Sequence, residues 1–76
     1  MQHPRKNLTV NCALLYPTDN TTVLLSYEIP VSAMVTGKYI VTDTKYSNTT
    51  TKHINKFVGD NSSTVVEQSV LDNLVK

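Results

Sequence analysis

The chain has 76 residues, 39% of them apolar and 17% charged, and seven Lys/Arg against six Asp/Glu leave a formal charge of +1. That length supports one small core and excludes a second core or a deep substrate cleft. The balanced charge gives no global field for nucleic acid or a membrane surface, no apolar run is long enough for a membrane span, and the lone Cys12 excludes an internal disulfide.

Met1 to Leu8 carries His3, Pro4, Arg5 and Lys6 with no apolar run after it, so it reads as neither a signal nor a transit peptide. Residues 1–7 are expected to form a flexible tail ahead of a single domain over residues 8–76. From Leu8 to Tyr16 the even positions Leu8, Val10, Cys12, Leu14 and Tyr16 alternate with mostly polar neighbours, which predicts a strand with one buried face. Pro17-Thr18-Asp19-Asn20 is a turn cluster. The next run places Val23, Leu25, Tyr27 and Ile29, then Val31, Ala33 and Val35, on odd positions. It predicts one long bent strand over Thr22–Val35, or two strands sharing a face, with Pro30 marking an edge, bulge or bend. Thr36-Gly37-Lys38 reads as a tight turn, followed by a strand from Lys38 to Thr44.

The period then changes. From Ser47 to Val58, Thr50, Ile54, Phe57 and Val58 share one helical face, with Ser47 suited to the N-cap and Gly59 to the C-terminal stop. Thr64-Val65-Val66-Glu67 fits a capping box, so a second helix is expected over Val65–Val75. The predicted fold class is α+β: an antiparallel β-meander of three or four strands followed by two C-terminal α-helices packed on one face.

No catalytic or metal-binding pattern stands out. Cys12 falls on the inward side of its strand, and two histidines and one cysteine at these spacings match no zinc site. No P-loop, GxGxxG, HExxH or GxSxG is present. The expectation is therefore a protein that is not an enzyme and takes no cofactor or metal. The segment from Lys38 to Lys56 is different in kind, because its four lysines (38, 45, 52, 56) oppose only Asp43. Lys52 and Lys56 are one helical turn apart with Asn55 beside them, and Thr49 adds a hydroxyl. Lysines among such hydrogen-bonding groups suit phosphate contact, and Tyr39 and Tyr46 could offer stacking faces. The candidate partner-binding residues are Lys45, Tyr46, Thr49, Lys52, His53, Asn55 and Lys56. The bland reading of the same residues is a solvated helix face, with His53 packed at its margin.

Ser26-Tyr27-Glu28-Ile29-Pro30-Val31, then Tyr39-Ile40-Val41-Thr42, then Lys45-Tyr46-Ser47-x-Thr49-Thr50-x-Lys52-His53-Ile54-Asn55 form an ordered set. It resembles a family of small, uncharacterised bacteriophage-encoded proteins with the patterns S-Y-x-T-P-V, Y-V-T and Y-S-x-T-T-x-K-H-I-N. The resemblance covers about Leu25 to Val58, and departs at Ile29, where the family has Thr. It implies a phage origin and no particular activity. The combined expectation is a phage accessory protein in the cytoplasm of the infected bacterial host. Its partner would be nucleic acid, bound through the basic first helix and the adjacent strand turn, or alternatively a host defence or transcription protein that it inhibits. No membrane partner is expected, and a homodimer is among the expected states because a chain this short gains stability by self-association.

Overall fold

The computed structural model describes residues 4–75. Six strands form one sheet in the order β1 (Arg5–Thr9), β2 (Cys12–Thr18), β3 (Thr21–Ser26), β4 (Ile29–Val35), β5 (Lys38–Thr42) and β6 (Ser63–Val66). Helix α1 (Asn48–Val58) lies between β5 and β6, and α2 (Gln68–Leu74) ends the chain. The first five strands are an antiparallel meander joined by two-residue turns, while β6 pairs with β5 in parallel, from Tyr39↔Ser63 to Thr42↔Val66. Parallel neighbours require a crossover, which α1 supplies. The sheet thus has more strands than the predicted three or four, and one pair is not antiparallel.

The extra strands come from both ends of the chain. Arg5, Lys6 and Asn7, expected in a tail, pair with Leu15, Leu14 and Ala13 of β2; Met1, Gln2 and His3 lie outside the described residues. At the other end, Ser63–Val66 forms β6 rather than a helix N-terminus, and Glu67 caps α2 without a side-chain hydrogen bond. The capping box does not form. Pairing with β5 satisfies a row of backbone groups, and the β-branched Thr64-Val65-Val66 suits a strand better than a helical turn.

The two helices cover opposite faces of the sheet, not one. Leu71 of α2 is fully buried against Ala13, Val23, Leu25 and Ala33, whereas Ile54 and Phe57 of α1 pack on Cys12, Leu24 and Val31. The cause is visible in β3, whose Val23-Leu24-Leu25 run is buried throughout. A continuous apolar run is what a strand covered on both faces shows, and attention to the odd positions alone passes over Leu24. In β4 the register shifts opposite Leu24/Leu25, so Val31 joins the α1 side while Ala33 stays on the α2 side. Pro30 sits at this bulge, where its missing N–H is tolerated. Gln68 then fastens α2 to the sheet: its Nε2 donates to the Pro30 carbonyl at 2.6 Å, and its Oε1 accepts from Thr42 Oγ1 at 2.6 Å.

Helix α1 keeps its predicted limits. Ser47 Oγ accepts from the Thr50 N–H at 3.2 Å, and the Gly59 N–H donates to the Asn55 carbonyl at 2.8 Å with Gly59 at φ 62°. Strand polarity brings both helix N-termini to the same end of the sheet as the β1–β2 and β3–β4 turns. The Tyr27 N–H donates to the Asn11 carbonyl at 2.8 Å and ties the two turn tips together. Among the described residues, no helix is long and apolar enough to cross a membrane.

Candidate functional site

The candidate site grows from a buried chain of hydroxyls under the first turn of α1. Ser26, at the end of β3, is 1% exposed, and Thr50, one turn into α1, is 3% exposed. Ser47 Oγ donates to Thr50 Oγ1 at 3.3 Å, Thr50 and Ser26 share a hydrogen bond of 2.9 Å, and Ser26 Oγ lies 2.9 Å from His53 Nδ1. Each hydroxyl has a single proton. It can also accept twice, so the chain runs either outward from Ser47 to an accepting Nδ1 or inward from an Nδ1–H donor. In both cases His53 Nδ1 is engaged by Ser26 Oγ. His53 is no idle margin residue: its ring orientation is set by a strand and a helix acting together.

The imidazole lines a groove between α1 and the β1–β2 hairpin. One cavity of about 540 Å³ is walled by Thr9, Thr49, Lys52, His53, Asn55 and Lys56. An adjoining cavity of about 440 Å³ shares Thr9, His53 and Lys56, and adds an apolar floor that includes Leu8, Leu14 and Phe57. Both volumes are of the size that holds small molecules, roughly 300–1,000 Å³. Among the described residues, no acidic side chain contributes to either wall. Among the described residues, the single ion pair lies elsewhere, between Arg5 and Glu28, with two contacts of 2.8 and 2.6 Å. That pairing raises the Arg5 guanidinium above, and lowers the Glu28 carboxyl below, their ordinary ranges.

Five of the seven candidate residues, Thr49, Lys52, His53, Asn55 and Lys56, therefore meet around one cavity. Lys45 and Tyr46 lie in the exposed loop before α1 and do not line it. Tyr39 is committed to packing: its ring meets Phe57 edge-on at 5.5 Å. Sequence reasoning missed Thr9 and Leu8, which it placed at the start of the first predicted strand with no part in the site, and Tyr27, which the strand pattern assigned to a packed face. Tyr27 is instead 48% exposed at the β3–β4 turn, with its ring centroid 6.4 Å from that of His53. An aromatic residue two positions before Ile29-Pro30 was the available turn signal, but neither Tyr27 nor Glu28 is a customary turn former.

Two reactive groups near the groove are both buried. Cys12, the register partner of Ser26, is 7% exposed, and burial pushes its thiol up, partly offset by the nearby Lys56. Ser26 has the geometry of a hydroxyl beside a base, yet it is enclosed beneath α1. Among the described residues, no three His, Cys, Asp or Glu side chains converge as metal ligands.

No curated protein and no solved structure matches this chain. A family of unknown function, DUF8033, matches it over residues 1–73, and the chain belongs to that family.

Proposed function

We propose that this chain is a small non-catalytic phage accessory protein that binds nucleic acid in the cytoplasm of the infected bacterial host. The observation that carries the reading is the groove wall itself. Lys52 and Lys56 stand one turn apart beside His53, Asn55 and Thr49, with no acid among the described residues of the wall to neutralise them. Ammonium groups at that spacing suit successive phosphates, and the amide and hydroxyl supply hydrogen bonds that fix register. Lys45 and Tyr46, exposed in the loop before α1, are the remaining candidate contacts. A non-catalytic role is supported by the enclosure of Ser26 and the upward-shifted thiol of Cys12. The phage origin and the host cytoplasm rest on the sequence resemblance. The test is a salt titration of oligonucleotide binding. Three lysines predict a log–log slope of roughly −2 to −3, reduced by about one in Lys52→Gln or Lys56→Gln. Absence of binding at low salt removes the reading.

A second reading, inhibition of a host defence or transcription protein, is favoured by one observation. Val10, at the tip of the β1–β2 turn, is 96% exposed, and Leu8 on the adjoining edge strand is 48% exposed. Apolar side chains on an unpaired edge suit strand addition by a protein partner. Recovery of one host protein after nuclease treatment would select this reading, and light scattering would report the homodimer.

A further inference from the structure

Tyr27 and Glu28 form the β3–β4 turn with φ of 52° and 65°. A two-residue hairpin turn of this kind needs positive φ at both positions, and Asn-Gly is its usual occupant. A tyrosine there holds its backbone in a conformation costly for a bulky side chain. The fold gains little in return, because the ring is 48% exposed and its aromatic contact is the tilted one with His53. The same tip is fastened on two sides, by the Tyr27 N–H to the Asn11 carbonyl and by the Glu28 carboxylate to Arg5. A strained, exposed aromatic on a fastened turn therefore stands beside His53, one of the residues that line the lysine-bearing groove.

We propose that Tyr27 and His53 form a stacking platform for an unpaired base, and that the ligand of the groove is single-stranded nucleic acid whose phosphates run along Lys52 and Lys56. This rests on the nucleic-acid reading above and narrows it. One feature separates a single strand from a duplex: the groove is apolar as well as basic. Lys52 and Lys56 line a cavity that adjoins an apolar floor. That floor carries Leu8, Leu14 and Phe57, which match the face of a base and not a phosphate. His53 lines both cavities and so stands between the apolar floor and the lysines, with its Nδ1 engaged by Ser26 Oγ.

The platform and the strain make an unusual joint prediction. Tyr27→Asn places a residue tolerant of positive φ in the turn and removes the ring. The unfolding midpoint should rise by about 5 °C, while affinity for a fluorescein-labelled single strand of about 15 nucleotides falls about tenfold. Tyr27→Phe keeps the ring and should bind as the wild type does. The matching duplex should bind at least about tenfold more weakly than the single strand. Equal affinity of Tyr27→Asn and wild type, or equal binding of duplex and single strand, overturns the platform. If Lys52→Gln and Lys56→Gln still weaken binding in that case, the broader reading stands alone. If the wild type binds neither probe at low salt, both readings fall.

Discussion

Replacing Ser26 by alanine removes the central member of the relay that joins β3 to α1. The side chain is 1% exposed and takes part in two hydrogen bonds of 2.9 Å, to Thr50 Oγ1 and His53 Nδ1. Thr50 keeps Ser47 as a partner, so the group left wanting is His53 Nδ1, which the half-buried ring can only partly turn to water. A net hydrogen bond contributes about 1 kcal/mol and an unpaired buried group costs about 1–3 kcal/mol, which places the loss near 2 kcal/mol. For a domain of this size that lowers the unfolding midpoint by about 10 °C. Ser32→Ala is the control. Ser32 is equally buried but makes one side-chain bond, donating to the Ile40 carbonyl at 2.7 Å, so its loss should be about 1 kcal/mol. Urea unfolding followed by circular dichroism measures both. Nitrogen-15 correlation spectra of the imidazole supply an independent reading: the wild type should show one tautomer, selected by the bond from Nδ1 to Ser26, and Ser26→Ala a mixture. A stability change equal to that of Ser32→Ala, with the tautomer unaltered, would refute the relay.

Other perturbations test other joints. Leu71→Ala opens a cavity beneath α2, where Leu71 is fully buried, and should cost about 2–5 kcal/mol in denaturant unfolding; a cost under about 1 kcal/mol would show that α2 does not seal that face. Gly59→Ala should cost about 1–3 kcal/mol. A Cβ there meets nothing within 4 Å, so the loss would come from φ 62° and ψ −133° alone, and Gly59→Asn should recover little of it. The Arg5–Glu28 pair acts through pH. Because the Glu28 carboxyl titrates lower in the folded chain than in the unfolded one, its contribution is present above the ordinary carboxylate range and fades as pH falls through the folded value. Glu28→Gln should flatten that part of the acid limb, more visibly at low salt; superimposable stability–pH curves would show that the pair contributes nothing.

What the sequence made legible followed from local chemistry. Ser47 and Gly59 bound α1 because a hydroxyl cap and a left-handed stop act within a few residues. The Thr36-Gly37 turn followed for the same reason, with φ of 50° and 80°. Thr49, Lys52, His53, Asn55 and Lys56 were close in the chain and on one helix, so their convergence needed no knowledge of tertiary structure. Long-range choices were hidden. Whether Thr64-Val65-Val66 became a strand depended on β5 offering a free edge, and whether Leu24 counted depended on a helix arriving on its face. Thr9 reached the groove by pairing across β2, and Tyr27 by a turn that its own residues oppose. A polar N-terminal stretch and a tyrosine in a β-rich run carry no local mark of either outcome.

The parallel pairing of β6 with β5 sets an order of assembly. Strands β1 to β5 are linked by turns of two residues, so each hairpin can close from its own neighbourhood. Bringing Val66 beside Thr42 closes a loop that must enclose α1, at an entropic cost about 2 kcal/mol greater than a two-residue closure. Loop-closure cost therefore predicts that residues 63–75 close over the sheet after the hairpins have formed. Until they close, Val23, Leu25 and Ala33 have no Leu71 over them, and one side of a nearly complete sheet stands bare. Aggregation pressure on this protein is therefore concentrated in time rather than in any one exposed strand, and substitutions that slow this closure would lower its yield before they measurably lower its stability.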